Sequence, residues 1–321
     1  MAAVVASILL LLSALIPPTI SVGPAPNQIK NLVTFGDSYT DVDAHADGGI
    51  MWPVFAAQDG NFSLFPFAKS GATCSNNITF IPTPSVFESQ LPSYFAEVAN
   101  GSLELDPTTT VYTLWIGTND VGVAGLFVGH GSPGVTVVDT VTCAVNWVDV
   151  LYKSGARNFI FQNMIPLENT VLYAPDSYPN HIWSAERNTT EWSVFMRELT
   201  TSGNAIAKLM LQALAPTLPG AHVGLFDSHT LFADMFAHPE RFLNGTAPLN
   251  VTGAVHSCVL QLNESTSDPG VCTDAVGTDQ DSFLWFDELH PSVQAERVVA
   301  KLIASSIHRE PSADRYITWL S

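Results

Sequence analysis

Short apolar runs separated by helical patterns constrain this chain more than any other feature. Residues 32–35, 111–115, 159–162 and 222–226 are apolar stretches bounded by turn residues. Runs of this kind form strands buried on both faces, as in a parallel sheet. Residues 62–67 read as a short extra strand. Helical spacing covers 86–99, 135–153, 184–215 and 293–307, with a break expected in the third near 200–203. Residues 139–151 alternate at helical period and stop at Ser154-Gly155, a suitable C-cap. Alternation of this order predicts a doubly wound α/β/α sandwich with a mostly parallel sheet. Residues 245–281 carry no such pattern and read as an irregular surface loop, not a second domain.

Polar residues at strand ends then carry the chemistry, because ligands of open α/β sheets bind at the carboxyl edge. The first strand runs into Gly36-Asp37-Ser38, which puts a hydroxyl there as a candidate nucleophile. The same tripeptide also suits a plain turn. A serine nucleophile needs a base, and Asp287-Glu288-Leu289-His290 offers one. Asp287 and His290 are three residues apart, so one turn can bring carboxylate to imidazole. Aspartate then fixes the ring tautomer while histidine takes the hydroxyl proton. Helix capping is the plainer alternative for that pair. Pro291 suits the first position of the helix that follows, and Glu288 is expected to point away from His290.

Acyl transfer also requires donors for a developing oxyanion. Asn119, in Gly117-Thr118-Asn119-Asp120 after the second main strand, supplies a side-chain amide. Gly71, in Phe67-Ala68-Lys69-Ser70-Gly71-Ala72-Thr73, lets a backbone N–H approach a carbonyl closely. In isolation each would be an ordinary turn residue.

Taken in order, Gly36-Asp37-Ser38, Gly71, Gly117-Thr118-Asn119-Asp120 and Asp287-Glu288-Leu289-His290 resemble the four blocks of the SGNH (GDSL) hydrolase superfamily. Residues 67–74, 151–157 and 163–167 are similar to secreted fungal acetyl esterases of carbohydrate esterase family 16. The overlap runs from about residue 31 to residue 307. The resemblance implies a flavodoxin-like three-layer fold, Ser38 as nucleophile, and an oxyanion hole of Ser38 N–H, Gly71 N–H and the Asn119 amide. It implies His290 as base and acid, Asp287 as its orienter, and no metal or cofactor. Lys69 departs from the apolar or small residue expected there.

Bulk properties narrow the setting. With 12 Lys+Arg against 30 Asp+Glu and a net charge of −18, the chain lacks the basic footprint that nucleic acids or anionic membranes require. An uncharged apolar stretch at 4–16, then Pro17-Pro18 and Ser21-Val22-Gly23, reads as a signal peptide over 1–23. A membrane anchor is the alternative, since no Lys or Arg precedes the core. Residues 24–321 remain as one domain. Seven sequons, at Asn61, Asn77, Asn100, Asn188, Asn244, Asn250 and Asn263, favour an extracellular surface. Of the four cysteines, Cys258 and Cys272 flank a polar loop and are expected to pair, leaving Cys74 with Cys143. Buried free thiols are the alternative.

Asp41-Val42-Asp43-Ala44-His45-Ala46-Asp47-Gly48-Gly49 has the look of a metal loop but lacks the ligand spacing of a calcium site. A loop beside the nucleophile fits it better. Trp52 and Trp115 are candidates to stack on a sugar or acyl group, with core packing favoured for Trp115. His229 and His238 fall at a helix start and end and receive no role. The expected function is a secreted serine esterase acting on small esters or acetylated carbohydrate. A lipase or phospholipase, and a silent carbohydrate-binding protein, are the alternatives.

Overall fold

A six-stranded sheet organises the computed structural model, which describes residues 23–44 and 48–321. Residues 1–22 of the expected leader, and His45, Ala46 and Asp47, lie outside the described residues. The strands are β1 (Asn31–Gly36), β2 (Ser63–Pro66), β3 (Thr110–Trp115), β4 (Asn158–Gln162), β5 (His222–Phe226), β6 (Asn250–Ala254), β7 (His256–Val259), β8 (Val271–Asp274), β9 (Phe283–Trp285) and β10 (Ile317–Trp319). The helices are α1 (Trp52–Gly60), α2 (Leu91–Ala99), α3 (Thr118–Val121), α4 (Val137–Lys153), α5 (Thr189–Leu214), α6 (Ser228–Ala237) and α7 (Val293–Ile307).

The sheet order is β10-β5-β4-β3-β1-β2, parallel except for β10. Strands 2-1-3-4-5 in that order are the flavodoxin-like arrangement, with its topological switch between β1 and β3. Side chains leave the strands on alternate faces. Leu32, Val111 and Ile160 enter one apolar cluster, with Trp52 and Ala56 of α1, Phe232 of α6 and Val299 and Ile303 of α7. Val33, Phe35, Tyr112, Leu114, Phe159 and Phe161 enter the other, with Leu91 of α2 and Trp147 and Leu151 of α4. Each of the Val, Leu, Ile and Phe side chains among them, fully buried, contributes about 1.5–3 kcal/mol. Strands covered on both faces therefore read as continuous apolar runs.

Helix ends follow local chemistry. Thr136 and Asp139 form a reciprocal capping box, which starts α4 two residues later than the pattern alone suggests. The expected helix over 184–215 starts at Thr189 instead, capped by Asn188, because Ser184 donates its hydroxyl to the Glu264 carbonyl. No break occurs at 200–203. The Thr200 hydroxyl folds back onto the Met196 carbonyl at 3.1 Å. A β-carbon at Gly203 would lie 2.6 Å from the Met164 methyl, so its glycine is there for close packing and not for a bend. Residues 245–281 are more ordered than expected. They contain β6, paired with β9, and the antiparallel hairpin β7–β8. Cys258 and Cys272 sit directly opposite in that hairpin and are joined. Cys74 and Cys143 form the second disulfide.

Candidate active site

The Gly-Asp-Ser turn is built by its own aspartate. The Asp37 side chain accepts the Tyr39 N–H at 3.1 Å, and its carbonyl accepts Thr40 N and Asp41 N, both at 3.0 Å. That folds the chain tightly just past β1 and leaves Ser38 projecting from the turn, its residue only 7% exposed. Gly36 is required immediately before it. Its φ is +151°, and a β-carbon there would lie 2.3 Å from the Trp115 carbonyl oxygen of β3. The buried Gln90 side chain grips both sides of Gly36, accepting its N–H at 3.1 Å and donating to its carbonyl at 2.8 Å. Sequence reasoning missed Gln90, since a lone glutamine in a helical pattern carries no local signal.

Far along the chain, β9 leads into the turn that holds Asp287 and His290. The Asp287 carboxylate oxygen Oδ1 accepts Leu289 N at 2.8 Å and His290 N at 2.7 Å, closing the turn. Its Oδ2 lies 2.8 Å from His290 Nδ1, and His290 Nε2 lies 2.9 Å from Ser38 Oγ. The three expected residues therefore form one hydrogen-bonded line from two distant parts of the chain. The Tyr39 ring stands edge-on to the His290 ring, and its hydroxyl donates to the Leu289 carbonyl at 2.9 Å.

Burial and charge compete at each group. Burial raises the Asp287 carboxyl, but the His290 charge and ring N–H and two backbone N–H groups outweigh it and hold it below the usual carboxylate range. Burial lowers His290, but Asp287, with Asp37 and Glu296 adding their fields, lifts it above the usual imidazole value. Asp37 and Asp120, both buried beside this line, are pushed up to about 7 by desolvation, and Asp37 raises Asp120 further.

The expected oxyanion donors Ser38, Gly71 and Asn119 lie in the segments that follow β1, β2 and β3. Asn119 lies in α3, immediately past β3, and donates one side-chain N–H to the Ala72 carbonyl at 2.9 Å. An amide carries two N–H groups, so this bond orients it and leaves the second free. Asp120 accepts Cys74 N through both oxygens, at 3.0 and 3.1 Å, which ties the same 71–75 loop to α3. Gly71 has φ +74°, a region open to glycine and closed to most residues. Among the described residues, neither the Ser38 N–H nor the Gly71 N–H donates a hydrogen bond.

Several other expectations change. Lys69 is not an intruder: its ammonium pairs with Asp43 at 2.7 Å, and Asp41 accepts Ser70 N at 2.7 Å. The acidic loop thus clasps the Gly71 segment. Trp52 is fully buried like Trp115, its indole N–H donating to Thr40 Oγ1 at 3.2 Å, so neither ring is free to stack on a sugar. Pro291 is not a first helical residue. Ser292 is the N-cap of α7, accepting Ala295 N at 3.1 Å, because its side-chain oxygen satisfies a donor that proline cannot. His229 lies in the first turn of α6 and His238 at its C-cap, as expected. His256, Cys258 and Cys272 bring potential ligand atoms within 4.8 Å of one another, but both sulfurs are committed to the disulfide. Among the described residues no helix is long and apolar enough to cross a membrane.

The GDSL-like Lipase/Acylhydrolase family matches residues 32–303. The chain is 30% identical to an acetylesterase of Hypocrea jecorina, covering 90% of each protein. It is 24% identical to an acetylesterase of Thermothelomyces thermophilus, over 86% of this chain and 88% of that one. A thermolabile hemolysin of Vibrio parahaemolyticus is 25% identical over 88% of this chain and 65% of its own length. Among solved structures, an acetylxylan esterase from Geobacillus stearothermophilus aligns with a TM-score of 0.44 at 12% identity, over 90% of this chain and 96% of that one.

Proposed function

Since the chain belongs to the GDSL-like lipase/acylhydrolase family and is a carboxylic ester hydrolase, we propose that it works through an acyl-enzyme on Ser38 and removes acetyl groups from carbohydrate. The hydrogen-bonded line Ser38–His290–Asp287 carries this reading. Ser38 Oγ attacks the ester carbonyl carbon while His290 Nε2 takes its proton. The carbonyl oxygen becomes an oxyanion that accepts hydrogen bonds from Ser38 N–H, Gly71 N–H and the free N–H of Asn119. Collapse expels the alcohol, which leaves with the proton from His290. Water then repeats the sequence at the acyl carbon and releases the acid. No step calls for a metal or cofactor.

The acetyl preference is supported by the two acetylesterase relatives. It is tested by comparing p-nitrophenyl acetate, p-nitrophenyl palmitate and acetylated xylo-oligosaccharide. Turnover of the acetyl substrates should exceed that of palmitate by at least tenfold in kcat/KM, and a preference for palmitate overturns the reading in favour of a lipase. Asn119→Ala should lower kcat about 10²–10³-fold, with KM little changed, as for loss of one oxyanion donor. A loss under about threefold removes Asn119 from the role.

We place the protein outside the cell. Two disulfides require an oxidising compartment. Six of the seven sequon asparagines are exposed, and Asn250 is partly so. The leader and the single domain over 24–321 belong to this same proposal. Mass spectrometry of protein recovered from culture medium tests it, through a mature N-terminus near residue 23 and glycans at these asparagines.

A further inference from the structure

Glu288 stands between Asp287 and Leu289 in the triad turn, yet it faces away from the reacting atoms and is only 3% exposed. Its carboxylate oxygen Oε1 accepts the Cys258 N–H at 2.9 Å and the Tyr178 hydroxyl at 3.0 Å. Its backbone carbonyl accepts Leu172 N at 2.7 Å. One residue thus fastens the turn to two separate pieces of chain, the loop at 172–178 and the hairpin β7–β8. Both pieces are themselves braced. Arg187 donates to the Tyr178 carbonyl and to Ser177 Oγ, each at 2.8 Å. On the other side, Cys258, whose N–H holds the carboxylate, is bonded through its sulfur to Cys272 on the facing strand. His256 N also donates to the Phe286 carbonyl at 2.6 Å, one residue before Asp287.

Resting on the Ser38–His290–Asp287 reading, we propose that Glu288 is a positioning residue that anchors the triad turn to the disulfide-braced hairpin and to Tyr178, holding His290 in line with Ser38. The lever is short. Asp287, Glu288, Leu289 and His290 form a single closed turn, so a shift of Glu288 rotates the Asp287–His290 pair as a body. Without the Glu288 carboxylate, the Cys258 N–H and the Tyr178 hydroxyl are left without their acceptor. The turn and the hairpin must then move to find water or another partner. Displacement of a catalytic group by about 1 Å can cost on the order of 10²-fold in rate.

The test compares Glu288→Ala with Glu288→Gln in the full chain. Alanine removes the acceptor; glutamine keeps an accepting oxygen but no charge. For Glu288→Ala we expect kcat to fall at least tenfold with KM within about twofold. The acid limb of kcat/KM should move to lower pH as the Asp287–His290 contact loosens, with Asp37 and Glu296 left to act on the ring. Glu288→Gln should restore most of kcat and the limb. Removing Cys258 and Cys272 together by alanine should lower kcat in the wild-type background and add nothing to Glu288→Ala; thiol reductants are unsuitable because Cys74–Cys143 would open as well. The assignment is overturned by an unchanged kcat in Glu288→Ala, by a glutamine variant as impaired as alanine, or by additive losses in the cysteine combination. The His290 ring resonances followed in a Ser38→Ala background separate this from the triad reading. If the Ser38→Ala protein remains active the triad reading fails, while a His290 titration shifted by Glu288→Ala still supports the anchor, and an unmoved titration sinks it.

Discussion

Ser38→Ala is expected to lower kcat toward an acetyl ester on the order of 10⁶-fold, the loss typical of removing a serine nucleophile. The Ser38 hydroxyl is the group hydrogen-bonded to His290 Nε2, and among the described residues no other side-chain oxygen is hydrogen-bonded to that nitrogen. The same geometry predicts that the variant keeps its fold. The turn is held by the Asp37 side chain and carbonyl, and by Gln90 on Gly36, none of which uses the Ser38 side chain. Thermal unfolding should therefore move little while turnover and the pre-steady-state burst vanish. Activity within tenfold of wild type in a folded protein would exclude Ser38 as the nucleophile.

Asp287→Asn is expected to cost about 10⁴-fold in kcat. An asparagine Oδ1 can still accept Leu289 N and His290 N, which the aspartate holds at 2.8 and 2.7 Å, so the turn survives. The amide nitrogen then falls where Oδ2 now lies, 2.8 Å from His290 Nδ1. A donor there makes Nδ1 an acceptor and leaves the proton on Nε2, which can no longer accept from Ser38. The pH profile separates this from simple misfolding. With His290 as the proposed base, which must be neutral, and with Asp287 lifting it above the usual imidazole value, kcat/KM of the wild type should rise with pH through a midpoint above that value. Without the carboxylate the residual activity should rise at lower pH. A loss under tenfold, or an unmoved limb, would remove Asp287 as the orienting group.

The legible and illegible parts of the sequence divide along physical lines. The parallel strands were readable because burial on both faces leaves only apolar residues, as in the run from Val111 to Trp115. α7 was readable because one face packs on α1 while the other meets water. α1 was missed. Its buried residues Trp52, Pro53, Ala56 and Gly60 do share one face, but Val54, Phe55 and Ala57 off that face are apolar too, so no polar contrast marks the stripe, and proline opens the helix. β10 was missed because it has three residues and only one sheet partner, β5. The hairpin β7–β8 read as loop because its strands are mostly polar or exposed, and a disulfide joins facing residues across its ladder. At the site, the residues proposed to touch the reacting atoms announced themselves by residue type at strand ends. Groups that hold those residues, Gln90 and Glu288, did not, since their meaning lies in partners 54 and 30 residues away. Thr200 and Gly203 misled in the opposite direction. Both are helix-weakening by type, and both are accommodated here by one back-bonded hydroxyl and one close contact.

The residues joined at 2.9 Å, Ser38 and His290, lie 252 positions apart. What brings them together is the packing of α7 on α1, secured where the Glu296 carboxylate accepts the Trp52 N–H at 2.7 Å. On the ribosome, the segment bearing the serine emerges long before the one bearing the base. Contacts so distant in sequence form late, after the entropy of closing the long intervening chain has been overcome. A nascent or truncated chain that ends before Asp287 therefore carries a serine with no partner to activate it. On the proposed mechanism, hydrolytic competence arrives only once the segment bearing Asp287 and His290 has docked through α7.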